Sequence, residues 1–516
     1  MTDRKKQFEY VGKRIPRFDA TQQLTGSCKY CDDYFIPDML IAKPKFSDYA
    51  HAKILRIDTS EAEQMPGVAA IITGKDIPGN HWGTGPVPDN SVLVDDVVRF
   101  RGDCIAVVAA ETRQQAEAAV QAIRVEYEPL PTVMTMNEAL APDAPLVHPE
   151  IKDTNVATEM HFRNGDAEKA LESADFIVEE TYTTQKIDHT PIEPRVAFAV
   201  PTSDGGVHIV TSCSRVFKFA QLMRKILKLS MNKLRVSLPE AIGGSFGGKN
   251  DLLPEPWVAV LAMKTKRPVK ITFTREDDMG SSTIRHPYKI THRTGVMADG
   301  RIVANVATMY SDTGAYYSLG IAQLKKALVH CCSCYNVPHQ KADGFLIFTN
   351  TLSGSAMRGM GIPQSNYAWE SHMNLIAEKL GMDPIELRRK NMFEDEGNLI
   401  NGQTIDSRAA RECFEKALAL YRDSKPFPLR PGKKRGFGLA AMVYPIGSSK
   451  QSGATAFEVK VDEDGTAVLM NGLSDVGQGS RTALTQIAAE TLGIPFEKIN
   501  FERADTRTTP YDEATG

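Results

Sequence analysis

Gly243-Gly244-Ser245-Phe246-Gly247-Gly248-Lys249 follows a strand-like run at residues 234–238 and precedes an apolar segment at residues 257–263. Four glycines in its first six residues let the backbone come close to a ligand. Glycine accepts positive φ and has no Cβ, so successive amides can form a concave nest for an anionic or oxygen-rich group, with Phe246 as the one bulky side chain. A nucleotide loop fits less well. Gly243, Gly248 and Lys249 match G-x-x-x-x-G-K, yet Asn250 stands where a Mg²⁺-binding Ser or Thr is required. Pro254 and Pro256 are also expected to delay the next helix by about two turns, so that no helix N-terminus faces a phosphate at Lys249. A glycine turn with no ligand is the ordinary reading of an isolated motif, but here the motif has company.

Ser353-Gly354-Ser355-Ala356-Met357-Arg358-Gly359-Met360-Gly361 is a second such turn. It leads into an amphipathic helix marked by Tyr367, Trp369, Met373, Ile376 and Leu380 and closed by Gly381, and Arg358 adds a planar donor fork. A third, Ser474-Asp475-Val476-Gly477-Gln478-Gly479-Ser480-Arg481-Thr482, opens a helix through Leu484, Ile487, Ala488 and Leu492. Three backbone-amide turns in one chain favour a large, phosphate-bearing, heteroatom-rich ligand.

With 516 residues and 42% hydrophobic content, the chain can bury several cores, in about three units. A net charge of −3 gives no basic field for nucleic acid or an anionic membrane surface. The start Met1-Thr2-Asp3-Arg4-Lys5-Lys6 has no apolar stretch behind it, and no apolar run approaches membrane-spanning length, so a soluble cytoplasmic protein is expected. Eight cysteines in so long a chain argue against a disulfide scaffold. Cys28-x-x-Cys31 has the spacing of half a metal or iron–sulfur site, and Cys331, Cys332 and Cys334 cluster far from it. Neither group has a partner motif, so ordinary buried thiols are expected, with any iron–sulfur centre on another chain.

Residues 39–141 read as a small α/β unit with strands at 54–57, 68–73, 104–109 and 123–127. Its helix starts at Thr112 and buries Ala116, Ala119, Val120 and Ile123. Prolines then break the pattern, and the polar stretch through Asn164-Gly165-Asp166 reads as a linker, with a boundary near residue 150. A helix at 167–173 and a strand at 176–183 follow, then the proline-stiffened segment 188–195, where His189 and Glu193 are functional candidates beside the commoner reading of a structural pair. Ser214 is placed to cap a helix that buries Phe219, Leu222, Met223, Ile226 and Leu227. Beyond the first glycine turn come a strand at 268–274, a charged turn at 275–278, and a hairpin through Asp299-Gly300 that joins strands at 288–295 and 303–310. A polar connector at 397–435 with a helix at 409–421 precedes strands at 438–443, 455–461 and 467–472.

Further local patterns accompany the three turns. These are Pro37-Asp38-Met39-Leu40, Ala50-His51-Ala52-Lys53-Ile54, Pro66-Gly67-Val68, Val125-Glu126-Tyr127-Glu128-Pro129-Leu130-Pro131 and Asp312-Thr313-Gly314-Ala315-Tyr316. Together they make nearly the whole chain resemble the molybdenum-binding subunit of the xanthine dehydrogenase/aldehyde oxidase family of molybdenum hydroxylases. The resemblance implies an α+β fold: an N-terminal arm and α/β hammerhead domain (1–150), a first molybdopterin-binding domain (151–400), and a linker with the start of a second, incomplete one (401–516). It implies molybdopterin, as such or in its cytosine dinucleotide form, held by Gly244, Phe246, Gly247, Arg358, Gly359, Gly477, Gln478 and Gly479. Phe246 and Arg358, through their adjacent backbone, would lie next to the molybdenum. The implied reaction hydroxylates a small aromatic heterocycle or aldehyde with water-derived oxygen, and electrons leave through an iron–sulfur subunit and an FAD subunit. One branch of the family instead reduces an aromatic acyl-CoA.

Measured against the xanthine-oxidising members, three substrate positions differ: Asn250 replaces a glutamate, Lys326 an arginine and Met360 a phenylalanine. A purine is therefore not the expected substrate, although a lysine still offers a cation and a methionine an adaptable wall. The glutamine expected near the metal is displaced, with Ile187 at its position and Gln185 two residues earlier. The chain stops at Tyr511-Asp512-Glu513-Ala514-Thr515-Gly516, inside what resembles the next pterin loop. In the family the general-base glutamate lies beyond that point, so no catalytic residue is expected in this chain, and either a continuation or a second molybdopterin-binding chain is expected to complete the site. The competing readings are a non-catalytic assembly or binding subunit and a P-loop enzyme, the latter disfavoured by Asn250.

Overall fold

The computed structural model describes residues 8–406, 408–424, 427–445 and 454–513. The start Met1–Lys6, part of the connector at Lys425 and Pro426, and the final Ala514-Thr515-Gly516 lie outside them. A seven-stranded mixed sheet runs in the order Leu234–Ser237, Val207–Thr211, Val196–Pro201, Val269–Thr272, Leu40–Phe46, Cys104–Ala110, Val68–Thr73. Every residue of Cys104–Ala110 is buried, as its unbroken run of small and β-branched residues requires of a strand covered on both faces. The helices Arg113–Ala122, Val216–Leu227 and Pro254–Thr265 pack around this sheet. Leu40–Phe46 pairs in parallel with Val269–Thr272, so residues on the two sides of the expected boundary near 150 share one core.

A second sheet runs Phe176–Thr183, Tyr288–Val296, Ile302–Gly314, His339–Phe348, Val156–Asn164. The stretch expected to be a polar linker is thus the edge strand Val156–Asn164, antiparallel to His339–Phe348. Its signal was the alternation of exposed Glu159, His161 and Arg163 with half-buried Met160 and Phe162, the mark of a strand with one wet face. The helices Gly320–Val329 and Ile362–Leu380 complete this second core around Trp369.

Several local expectations change. Pro254 does not delay its helix but opens it, since the first turn needs no amide from that residue. Ser214 caps nothing: Val216–Leu227 starts after Arg215, and the Ser214 hydroxyl bonds that of Ser245 at 2.7 Å. The charged turn at 275–278 is the first turn of the helix Arg275–Ser281, which Thr274 caps with Asp277. Residues 438–443 form no strand. In Ser480–Leu492 the buried face is Arg481, Thr482, Thr485 and Ala489, while Ile487 and Leu492 are exposed, as is Tyr367 in Ile362–Leu380. All eight cysteines are free, and all but Cys413 are buried. Among the described residues no helix is long and apolar enough to cross a membrane.

His286, His292 and His372 are buried, and burial pushes their imidazoles from the ordinary 6.5 down to about 3, 4 and 2. Below the ordinary value the unfolded chain binds protons that the fold excludes, so stability falls as pH drops from about 6.5 toward these values. Each histidine is expected to contribute a loss of roughly 1.4 kcal/mol per pH unit in that window. Urea midpoints followed by tryptophan fluorescence should decline steadily on acidification; a level midpoint from neutral to mildly acidic pH would contradict this.

Candidate cofactor and substrate site

Glu193 closes the first glycine loop on itself. Its Oε2 accepts hydrogen bonds from the Gly243 amide at 2.8 Å and from Lys249 Nζ at 2.9 Å, which pins both ends of residues 243–249 to one buried carboxylate. The Cys31 amide donates to Oε1 at 3.3 Å and adds the N-terminal arm. Burial lowers the pKa of Lys249, and the charge of Glu193 acts against that shift. Arg195 braces the loop from below, donating to the carbonyls of Gly248 and Asp251.

Held in this way, the loop places Phe246 at φ 52°, in the left-handed region, with the residue 47% exposed. Among the described residues the amides of Gly244, Ser245, Phe246 and Gly247 donate to no other protein group. These are the donors that a nest of the kind expected from the sequence would use.

The second turn rests directly on the first. The Arg358 amide donates to the Phe246 carbonyl at 2.8 Å, and a Cβ on Gly247 would run into the carbonyl of Ala356. His189 Nε2 meets that same Ala356 carbonyl at 2.7 Å; burial lowers its pKa, so the neutral ring donates there. Arg285 holds the other side, donating to the Arg358 carbonyl at 2.8 Å and to Gln364 Oε1 at 3.2 Å. His189 and Glu193 therefore both act on the backbone of the loops.

The third turn is organised by residues the sequence did not single out. Asp475 Oδ1 accepts from the amides of Gly477 and Gly479 at 3.0 and 3.3 Å, and its Oδ2 from that of Arg481 at 3.1 Å. Arg17 Nη1 donates to the Gly477 carbonyl at 2.6 Å while its other nitrogens hold Asp19, and Arg481 lies 3.5 Å from Asp19 and 3.8 Å from Asp475. Arg481 also donates to the Glu240 carbonyl at 3.4 Å, just ahead of the first loop. An N-terminal arm more than 400 residues away in sequence thus latches this turn. Gln478 is folded over its own turn, bonded to Ser474, Ser480 and the Val476 amide.

All three turns line one cavity of about 1450 Å³. Gly244, Phe246, Gly247, Asn250, Arg358, Gly359, Met360, Gly477 and Gln478 stand in its wall; Gly479 sits just beyond, as the N-cap of Ser480–Leu492. Lys326 reaches it from behind, with Nζ 3.9 Å from Met360 Sδ and 5.2 Å from the ring centre of Tyr444. Met442 and Tyr444, from the segment that follows the connector, and Tyr30 and Asp33, from the N-terminal arm, also line it. Neither Gln185 nor Ile187 is among the lining residues; Ile187 instead accepts the Arg285 amide at 2.8 Å. Among the described residues two carboxylates stand in the wall: Glu193 is occupied as described and Asp33 accepts the Tyr30 amide at 2.8 Å.

A large, oxygen-rich anionic group fits this site. The free amides of the first loop offer donors, and Gly477, at φ 114°, has no atom closer than 3.9 Å to where a Cβ would stand. Residues 25–131 match the family described as aldehyde oxidase and xanthine dehydrogenase, a/b hammerhead domain, and residues 147–392 and 415–516 each match a molybdopterin cofactor-binding domain. A probable xanthine dehydrogenase subunit of Bacillus subtilis is 36% identical over 96% of this chain, which spans 66% of that protein. The nicotinate dehydrogenase large molybdopterin subunit of Eubacterium barkeri is 37% identical over 80% of this chain and 96% of its own length. The solved aldehyde oxidoreductase of Desulfovibrio gigas superposes with a TM-score of 0.90 at 32% identity, over 98% of this chain and 57% of that one.

Proposed function

The chain belongs to the xanthine dehydrogenase/aldehyde oxidase family of molybdopterin-dependent oxidoreductases, and on that premise we propose that it is the cofactor-binding component of a molybdenum hydroxylase acting on a small heteroaromatic or aldehyde substrate. The observation that carries this reading is the convergence of three sequence-distant glycine turns on one cavity. When bound, the molybdenum cofactor supplies hydroxylation of an electron-poor carbon with oxygen from water, its electrons passing to iron–sulfur and FAD partner subunits.

The residues of this chain bind and orient. The amides of Gly244, Phe246 and Gly247 serve as donors to cofactor oxygens, with Arg358 and Gly359 beside them on the adjoining second turn, Gly477 and Gln478 on the third, and Gly479 just beyond the lining. Phe246 and Arg358, both in the cavity wall, are the residues that would lie next to the metal through their adjacent backbone. By the resemblance, Asn250 and Met360 in the wall, with Lys326 behind Met360, would form the substrate side, where Asn250 can exchange hydrogen bonds but carries no charge, a feature that speaks against a purine.

A general base is assigned to no residue of this chain. Among the described residues both carboxylates in the cavity wall already hold backbone or lysine donors, which supports a base supplied by another segment or by a second molybdopterin-binding chain. The Eubacterium barkeri relative, a named subunit matched over 96% of its length, supports such a division of labour.

The test is to isolate the native complex, identify its polypeptides by mass spectrometry, assay molybdenum and pterin, and follow oxygen from labelled water into product. Stoichiometric metal and pterin, release of cytosine on hydrolysis for the dinucleotide form, and labelled product are expected. A complex without metal, pterin or a base-bearing companion would overturn the assignment.

A further inference from the structure

Beside the brace of the first glycine loop lies a second cavity, of about 70 Å³, that shares no lining residue with the cofactor site among the described residues. Asp103 and its neighbours line it from the hammerhead unit, and Arg195, Asp251, Thr283 and Ser353 from the cofactor-binding unit. Four polar atoms of this lining are buried with no hydrogen-bond partner among the described residues: Arg195 Nε, Asp251 Oδ2, Thr283 Oγ1 and Ser353 Oγ. Arg195 is 3% exposed, Asp251 6% and Ser353 7%. Asp278 Oδ1 stands 3.8 Å from Arg195 Nε, beyond hydrogen-bond reach. One such atom is costly in a fold; four around one cavity mark the place of a ligand.

The chemistry of the four atoms narrows that ligand. Arg195 Nε only donates, Asp251 Oδ2 only accepts, and the two hydroxyls do either. A cation suited to Asp251 would lie against the guanidinium, and an anion suited to Arg195 would lie against the carboxylate. Asp103 does not tip this balance, because its oxygens already accept from the amides of Arg99 and Phe100 and from the Tyr316 hydroxyl. A neutral molecule that donates and accepts at once serves all four, and at roughly 10–15 Å³ of such volume per molecule the cavity holds about five waters and nothing as large as a metabolite. We propose that an ordered water cluster of that size is a built-in ligand of the chain, hydrating the joint between the two units and fixing the arginine that supports the first cofactor loop. The other guanidinium nitrogens of Arg195 donate to the carbonyls of Gly248 and Asp251, so a water on Nε holds its remaining side and, through it, the end of residues 243–249. This role does not depend on which substrate the cofactor cavity serves.

The sample is the native complex, as parent and as the Thr283→Val/Ser353→Ala double variant, which removes two of the four groups with little change of shape. A structure at a resolution that shows solvent is expected to place waters within about 3.2 Å of all four atoms in the parent, and to lose those on the two hydroxyls in the variant. Amide hydrogen exchange of a peptide covering residues 243–251 should then be about tenfold faster in the variant, equivalent to about 1.4 kcal/mol of opening free energy, with exchange in the helix Arg113–Ala122 unchanged. Crystals soaked in rubidium bromide separate water from an ion, since either ion is seen by anomalous scattering. A dry cavity, or rubidium or bromide inside it, overturns the assignment of water. An exchange rate in residues 243–251 equal to that of the parent overturns the bracing of the loop. Should the double variant not assemble, the parent structure still decides the occupant, and Ser353→Ala alone carries the exchange comparison.

Discussion

Exchanging Glu193 for glutamine is expected to destabilise the chain by about 3–5 kcal/mol, the range for removing one partner of a buried ion pair. The carboxylate is 9% exposed and the Lys249 side chain 3%, so water cannot take over the lost contact. Three donors converge on Glu193: the Gly243 amide, Lys249 Nζ and the Cys31 amide. A glutamine has one oxygen, and its NH₂ would be turned toward at least one of these donors. The larger consequence is electrostatic. Lys249 already has a lowered pKa from burial, and without Glu193 it must fall further. An unfolded lysine then binds a proton that the folded one releases, so stability of the variant should rise with pH through the interval between the two values, and the gap to the parent should narrow at alkaline pH. Combining Glu193→Gln with Lys249→Met should recover part of the loss, because the orphaned charge is gone. Urea unfolding of the parent, single and double variants at neutral and alkaline pH measures all of this. A single variant as stable as the parent would show that the pair does not hold the loop.

Why Glu193 stood in the sequence only as a weak candidate is a matter of what sequence patterns record. The glycine turns were legible because their requirement is local: positive φ at Gly244, Gly247, Gly359, Gly477 and Gly479 is a property of single residues, and a nest needs them in succession. The strand Val68–Thr73 was equally plain, bounded by Gly67 and Gly74. The clamps on those turns leave no such trace. Arg17 and Gly477 are 460 residues apart, and a charge meeting a carbonyl across that distance looks in sequence like any solvated arginine. The helix Ser480–Leu492 misled in the opposite sense. Its buried face carries Arg481 and Thr485 in place of its larger apolar residues, because that side meets Asp19, Asp475 and the Glu240 carbonyl, polar groups that need donors. Hydrophobic periodicity finds cores; it does not find a buried polar latch.

The loops can also be separated without touching any charge. In Gly247→Ala the new Cβ would run into the Ala356 carbonyl and stand 2.9 Å from Met357 Cα, at a φ of +106° that side chains rarely adopt. Both obstacles are backbone, so neither can swing aside. Relief requires the first and second turns to move apart, and the 2.8 Å bond from the Arg358 amide to the Phe246 carbonyl is the contact placed to break. The strain itself is of the order of 1–3 kcal/mol, which a chain of this size can absorb. The function should not absorb it if, as proposed, the cofactor is held by both turns in register along one cavity. Molybdenum and pterin per folded chain are therefore expected to fall at least about tenfold, the effect of about 1.4 kcal/mol, with circular dichroism unchanged. Gly280→Ala supplies the contrast. It lies in the helix Arg275–Ser281, its φ is not positive, and nothing stands within 4 Å of its Cβ position, so alanine there should leave cofactor content intact and stabilise by up to about 1 kcal/mol. If Gly247→Ala retained full molybdenum and pterin, the contact between these two turns could not be what forms the cofactor site.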